Sequence, residues 1–453
     1  MFKRIFVANR GEIACRIINA IHKLGSKAVL GYSIADKNEY YLNDADECVC
    51  IGDSPSNLSY LNQNAILQAA IQTNCQAIHP GFGFLSENAN FASRCNQQKL
   101  NFIGPKTKNI KLMGDKSLAR KTMKHFKIFS LPGSIGCIDT IKKAKFYAKK
   151  IGYPILLKAS AGGGGKGMRL VENENQIKNQ FIAASNEAEK NFANNKLYIE
   201  KYIHSACHIE FQILADTYGN IIHLGERECS IQRNHQKLLE EAPAFNFPES
   251  KRKKIGLKIC KVLKKIGYEG AGTIEFLLNN TGELYFIEMN TRLQVEHSVT
   301  ELITGIDIVT WQILIACGQK LNIKQNDIFI KGHSIECRIN AEDSKNNFKP
   351  SPGTITSFKL PKHSINGPLR IDTHIVEGCK ITTFYDSMIA KVTSFGKTRS
   401  EAIKIMNIAL QKIKIKGIKT TKELQLNIIN NKNFKNGNYN CSFFQKNTNL
   451  INI

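Results

Sequence analysis

Short apolar runs alternate with helix-length amphipathic stretches through residues 1 to 114: RIFVAN, GEIACRIINAIHKLG, KAVLGYS, then AIHPG and FIG. Strands alternating with helices in this way predict βαβ units and a parallel, doubly wound sheet. Asn9, Arg10 and Gly11 fall at the first strand-to-helix turn, where such sheets place ligand-facing loops, although NRGEI lacks the G-x-G-x-x-G spacing of a dinucleotide site. From 115 to 333 Gly-rich and acidic motifs take over, and residues 130–203 read as a subdomain with its own strands, YPILLKAS and KLYIEKYI. Strands and one helix continue to 446, before an Asn/Lys-rich tail at 447–453. The expected fold class is therefore α/β and α+β, with domains at 1–114, 115–333 (lid 130–203) and 334–446.

Polar alternation is sharpest in EMNTRLQVEH. Glu288, Asn290, Arg292, Gln294 and Glu296 occupy every second position, with Met289, Thr291, Leu293 and Val295 between them. An extended chain would place the polar set on one face. Upstream, AGTIEFLLNNTGELYFIEMN holds two β-rich runs around the turn formers Asn279, Asn280, Thr281 and Gly282. Pairing centred between Thr281 and Gly282 sets Glu275 opposite Glu288. Facing carboxylates repel unless a cation separates them. An oxygen-only pair near Asn290 suits magnesium or manganese, which commonly shares its coordination with a phosphate, so a nucleotide site is implied.

Composition narrows the alternatives. The chain has 453 residues, 42% of them hydrophobic, enough for two or three domains with a sizeable core. Its formal charge of +25 is unusual, but the lysines are spread among Asn and Ile with no Lys/Arg block interleaved with aromatics. That spread reads as compositional drift, and no nucleic-acid partner is expected. The thirteen cysteines include no C-x-x-C pair, as in a reduced compartment. Strand-like sequence from Lys3 leaves no room for a leader, and no apolar run has membrane-spanning length. A soluble, cytoplasmic protein with no membrane partner is expected.

Phosphate chemistry recurs in the middle region. After YPILLKAS come Ala161 to Met168, a run of glycines whose backbone amides can approach phosphate oxygens closely. Lys158 on the preceding strand and Lys116 after Gly114 and Asp115 supply point charges. In YIEKYI, Glu200, Lys201 and Ile203 lie where backbone groups could read an adenine edge. His208, Glu210 and Gln212 alternate in HIEFQIL, and Gln232, Arg233, His235, Gln236, Lys237, Glu240 and Glu241 read as a dense polar loop.

In combination these residues resemble the biotin carboxylase family of the ATP-grasp fold, and within it the biotin carboxylase subunits of bacterial acetyl-CoA carboxylase. The resemblance runs from FVANRGEIACRII through HPGFGFLSENANFA, LMGDK, GYPILLKASAGGGGKGM, HIEFQILAD, ERECSIQRNHQK, EEAP, GAGTIEF, FIEMNTRLQVEH and ECRINAED to YDSMIAK. It implies a Rossmann-like N-terminal domain, a mobile lid and a strand-rich C-terminal domain. It also implies that MgATP phosphorylates bicarbonate to carboxyphosphate, whose CO₂ is captured by N1′ of biotin.

By position, ATP would be held by Lys116, Lys158, Gly164, Gly165, Glu200, Lys201, Ile203, His208, Gln232, His235, Glu275 and Glu288. Metal (Mg²⁺ or Mn²⁺) would sit on Glu275 and Glu288 with Asn290 assisting. Bicarbonate would meet Lys237, Arg292, Gln294 and the Val295 backbone, with Glu296 as general base. Arg338 would stabilise the biotin ureido oxygen, beside Phe82.

The chain departs from the family in three places. Phe82 stands where the family usually has Tyr, Ser298 replaces a Pro with the expectation of a looser turn, and residues 362–368 differ near the family's dimer contact. No A-M-K-M biotinylation context occurs; Met123 and Lys124 precede His125 in a helical setting. The resemblance thus implies a separate biotin carboxyl carrier protein, carboxyltransferase subunits and a homodimer. Malonyl-CoA production for fatty acid synthesis is the expected role. Split pyruvate or propionyl-CoA carboxylases and other ATP-grasp ligases are the alternatives.

Overall fold

The computed structural model describes residues 1–160, 168–192, 194–364 and 367–450. Strand β1 (Arg4–Val7) is followed by helix α1 (Gly11–Lys23), then by β2 (Lys27–Ser33), β3 (Glu47–Gly52), β4 (Ala77–His79) and β5 (Asn101–Phe102). These strands form an all-parallel sheet in the order β3-β2-β1-β4-β5. Ile5, Phe6 and Val7 are wholly buried at its centre, as an unbroken apolar run covered on both faces requires. Reversal of strand order about β1 leaves a crevice at its C-terminal end, and there Asn9 Nδ2 donates to Pro80 O and Phe82 O at 2.7 Å each. Gly81 follows with φ +62, and a Cβ there would stand 2.8 Å from Asn9 Nδ2, so only glycine lets the Phe82 loop close onto β1.

Helix α2 (Lys116–His125) is capped by Asp115, which accepts from the Ser117 and Leu118 amides. A three-stranded antiparallel sheet follows: β6 (Ile155–Ala159) lies between β7 (Met168–Val171) and β8 (Leu197–Lys201), with its own apolar cluster around Ile155, Leu157 and Ile199. Gly164 and Gly165 lie outside the described residues.

The remaining large strands are β9 (Cys207–Ala215), β10 (Ile221–Arg233), β11 (Gln236–Ala242), β12 (Gly270–Leu278) and β13 (Leu284–Asn290), then helix α3 (His297–Thr304), β14 (His333–Asn340), β15 (Leu369–Thr373) and β16 (Met388–Gly396). They form one eight-stranded antiparallel sheet in the order β13-β12-β9-β10-β11-β14-β16-β15. The C-terminal strands thus continue the sheet of the middle region, with Leu239 paired to Cys337.

Two local expectations need correction. The polar segment from Gln232 to Glu241 is a hairpin between β10 and β11, not a loop; Asn234 and His235 at its tip both have positive φ, 49 and 64, as a type I′ turn demands. The alternating segment is a strand only to Asn290, after which an irregular turn leads into α3 at His297. Ser298 accordingly sits buried in the first turn of that helix, and its hydroxyl contacts Glu336 and Thr393. Among the described residues no single helix is long and apolar enough to cross a membrane. All thirteen cysteines are free thiols.

Candidate active site

Glu275 does pair with Glu288 across β12 and β13, but by a different route from simple pairing about the turn. Near the turn the register is Phe276 to Phe286 and Leu277 to Tyr285; a bulge then shifts it so that Glu275 faces Glu288. The extra residue, Ile287, sits at the cleft wall. Bulges of this kind re-aim side chains beside sites. Edge-to-face packing of Phe276 on Phe286, 6.3 Å between centroids, pins the apolar face and contributes about 0.5–1.5 kcal/mol beyond area burial.

A cavity of about 1130 Å³ opens between the lid, the crevice at β1 and the large sheet. Lys116, Lys158, Glu200, Lys201, Ile203, His208, Gln232, His235, Lys237, Glu275, Glu288, Asn290, Arg292, Gln294, Val295, Arg338 and Phe82 all line it. Glu296 lies just beneath its surface, fully buried.

Lys237 is the hub of the floor. Its ammonium lies 2.5 Å from Glu210, 3.0 Å from Glu275 and 2.6 Å from Glu296. Burial favours the neutral amine, but the three carboxylates outweigh it and hold Lys237 well above the ordinary lysine range. Glu296 is also bound by Arg338 at 2.9 Å, and Arg338 Nε donates to Glu240 at 2.7 Å. Burial opposes ionisation of Glu296, yet Lys237, Arg338 and Arg227 hold it well below the carboxylate range. Burial and then Glu296 act on Glu240 against the pull of Arg338, and its carboxyl rises to about 8.

Arg292 is held open like a fork. It donates to Glu87 Oε2 at 2.8 Å, Gln294 Oε1 at 3.1 Å and Asn290 Oδ1 at 3.1 Å. The three polar positions do share a side, as alternation predicts, even though the strand has ended. Asn290 braces the carboxylate pair, since its Nδ2 donates to Glu275 Oε1 at 2.9 Å and its oxygen is taken by Arg292. Glu275 is further approached by Gln294 Nε2 at 3.1 Å and His208 Nε2 at 3.2 Å. Gln232 Nε2 lies 2.9 Å from His208 Nδ1, and because an amide nitrogen only donates, the histidine proton belongs on Nε2, facing Glu275. Glu288 is more open, with Lys116 at 3.4 Å. Oxygen donors on two facing carboxylates, one braced and one reachable, fit a hard divalent cation.

On the lid, Lys158 lies 2.5 Å from Glu200, which Arg120 also binds at 2.9 Å. Burial opposes ionisation of Glu200, and Lys158 and Arg120 together lower it. Lys201 donates its amide to Pro132 O and its ammonium to the Gly152 and Tyr153 carbonyls. His235 is held below the usual histidine range by burial, then by Lys158 and His208.

Glu87, Arg227 and Glu240 escaped the sequence reading as site residues. Arg227, fully buried, binds Glu210 and donates to Gln212 at 2.7 Å. Behind His208, Ser230 Oγ accepts from the His208 amide and donates to Glu228, which burial and then Glu241 push up to about 8. A raised carboxyl contributes stability below its unfolded value near 4.5, and that contribution is lost as pH climbs through about 8. Glu228→Gln is therefore expected to gain in Tm relative to the parent between pH 5 and pH 9. A Tm difference that did not change with pH would show that Glu228 does not titrate there.

A lid over a cleft, paired lysines and an oxygen-rich carboxylate pair define a nucleotide-dependent enzyme of the ATP-grasp type. Family models match three consecutive segments: the biotin carboxylase N-terminal domain over 1–110, the ATP-binding domain of carbamoyl-phosphate synthase L chain over 115–324, and the biotin carboxylase C-terminal domain over 336–446. The biotin carboxylase of Nostoc sp. (strain PCC 7120) is 48% identical over 98% of this chain and 99% of its own. The 2-oxoglutarate carboxylase small subunit of Hydrogenobacter thermophilus is 47% identical over 98% of this chain and 94% of its own. The crystal structure of that enzyme's biotin carboxylase domain dimer, in complex with MgADP, ADP and bicarbonate, matches with a TM-score of 0.97 at 46% identity, covering 100% of this chain and 99% of that one. The chain belongs to the biotin carboxylase family of ATP-dependent ligases and has its ATP-grasp fold.

Proposed function

We propose that the chain carboxylates biotin on a separate carrier protein with bicarbonate and MgATP, through carboxyphosphate. The observation that carries this reading is Glu296, a buried carboxylate clasped by Lys237 and Arg338 beside the open fork of Arg292. ATP would be bound by Lys116, Lys158, Glu200, Lys201, Ile203, His208, Gln232 and His235, with Gly164 and Gly165 as further candidates. Mg²⁺ on Glu275 and Glu288 would offset charge on the transferred phosphoryl group.

Bicarbonate enters among Arg292, Lys237, Gln294 and the Val295 backbone. As the anion draws Lys237 and Arg338 onto itself, Glu296 loses part of its counter-charge and gains basicity. It then takes the bicarbonate proton while the freed oxygen attacks the γ-phosphorus and ADP leaves. Carboxyphosphate breaks down to CO₂ and trianionic phosphate, the phosphate takes the N1′ proton of biotin as that nitrogen attacks the CO₂, and Arg338 stabilises charge on the ureido oxygen. Lid closure keeps water from the labile intermediate. Phe82 lines the same cleft and would offer biotin a ring without a hydroxyl.

The acceptor is assigned as acetyl-CoA, giving malonyl-CoA for fatty acid synthesis in the cytoplasm, with carboxyltransferase subunits as partners and a homodimer as the working form. Dimerisation draws support from the H. thermophilus relative, whose domain is a dimer. The second reading, a carboxylase of a keto acid such as 2-oxoglutarate or pyruvate, draws on a relative of nearly equal identity. In this reading the acceptor reacts on another subunit, so the choice between the two readings is made outside this cleft.

The test is ADP release with Mg²⁺ and bicarbonate, with and without free biotin, alongside fixation of labelled bicarbonate. Biotin-stimulated release with label in carboxybiotin is expected. ATP cleavage indifferent to both bicarbonate and biotin would redirect the search to other ATP-grasp substrates.

A further inference from the structure

Lys391 lies outside the cleft lining yet reaches its central loop. It is fully buried on β16, and its ammonium donates to the Val295 carbonyl at 2.8 Å. That carbonyl belongs to the peptide joining Val295 to Glu296, so the bond sets the plane from which the Glu296 side chain departs. Lys391 is a long-range tether from β16 to the segment carrying Arg292, Gln294 and Glu296, beside the Arg338–Glu296 pair from β14.

A buried ammonium needs nearby counter-charge to offset its desolvation. Lys391 faces Glu12 at 3.4 Å and Asp372 at 3.8 Å. Asp372 is already bound by Arg370 at 2.9 Å, and the buried carboxyl of Glu336 accepts from Ser298 and from Thr393. Glu12 is different. It is 3% exposed in the first turn of α1, and among the described residues neither of its oxygens accepts a hydrogen bond. Burial pushes its carboxyl up to about 7, with Lys391 opposing and Asp372 and Glu336 reinforcing the rise. Around this group stand Lys391 from β16, Asp372 and Arg370 from β15, Glu336 from β14 and His297 from α3, the last held neutral by burial and then by Lys391.

We infer that Lys391 is a positioning residue for the base-bearing loop and that Glu12, across the domain boundary, carries the counter-charge that keeps its ammonium on the Val295 carbonyl. The inference deepens the proposed bicarbonate chemistry and rests on it. Ionised Glu12 fixes the ammonium; neutral Glu12 leaves it to Asp372, which Arg370 shares, and the loop loosens.

Lys391→Met keeps the volume and removes the ammonium. The expected result is a fall in kcat for bicarbonate-dependent ADP release of about 10²-fold, the scale of a small misplacement of a reacting group, with KM for ATP unchanged. Glu12→Gln is expected to lower kcat less and to erase the step near pH 7 in the kcat profile, a readout that a merely structural role would not move. A folded Lys391→Met with parental kcat, or a Glu12→Gln with the parental pH profile, overturns the inference. Should Lys391→Met fail to fold, the Glu12→Gln profile decides alone. If the parent itself shows no bicarbonate-dependent release, the reaction assignment has failed instead.

Discussion

Replacing Glu296 by glutamine is expected to cut bicarbonate-dependent ADP release by about 10²–10⁴-fold, the usual contribution of a positioned base, while leaving nucleotide affinity at the parental value. Glu296 shares its neighbourhood with Glu210, Glu275 and Glu240, the last of which is bound by Arg338 Nε at 2.7 Å. Glu210 is committed to Arg227 and Lys237, and Glu275 to Lys237, Asn290 and Gln294. Glutamine preserves the shape but cannot take a proton, and it leaves Lys237 and Arg338 without the charge they share. The proposed nucleotide contacts at Lys116, Lys158 and His208 belong to other elements and should be undisturbed.

The sign of the pH effect follows from the lowered carboxyl of Glu296. Its contribution to stability is present above the unfolded value near 4.5 and lost as pH falls through the lower folded value, so the variant should lose less stability than the parent on acidification. Calorimetric titration with nucleotide and ADP release with and without bicarbonate check both halves. Release within tenfold of the parent would remove Glu296 from the role of base.

The parts of this site that were legible in the sequence are those set by local periodicity. Two β-rich runs around a polar turn were enough to bring Glu275 opposite Glu288, although the bulge at Ile287, not the turn centre, delivers that pairing. Alternation identified Asn290, Arg292 and Gln294 as one side of the chain; it overran at Asn290 because it carries no signal for where pairing stops. The β10–β11 hairpin was missed because its turn is Asn234-His235. Without a glycine, the usual mark of two positive φ angles was absent.

Long-range partners left no such trace. Arg292 meets Glu87 from 205 positions away, Arg338 meets Glu240 from 98, and Lys391 meets Val295 from 96. Each of these is chosen by how sheets and crevice stack, which no window of the chain contains. Ser298 shows the same limit: its hydroxyl reaches Glu336 and Thr393 of other strands rather than the turn beside it.

Lys237→Met should be strongly destabilising. Glu210, Glu275 and Glu296 all converge on this one ammonium, and each is 6% exposed or less. Removing one partner of a buried ionic cluster leaves the others uncompensated, typically at about 3–5 kcal/mol. Arg227 still holds Glu210 and Arg338 still holds Glu296, so Glu275 bears most of the loss. In the parent, burial opposes ionisation of Glu275, while Lys237 and His208 hold it below the carboxylate range. Without Lys237 its folded value must rise, and the variant's deficit should shrink as pH falls and the carboxylate takes up a proton. Denaturant unfolding of parent and variant at pH 4 and pH 8, either side of the unfolded value near 4.5, reads this directly: a deficit larger at pH 8 is expected. Equal deficits would mean that Lys237 acts by packing rather than by charge. Bicarbonate-dependent turnover should vanish at both pH values, because Lys237 also belongs to the proposed anion site.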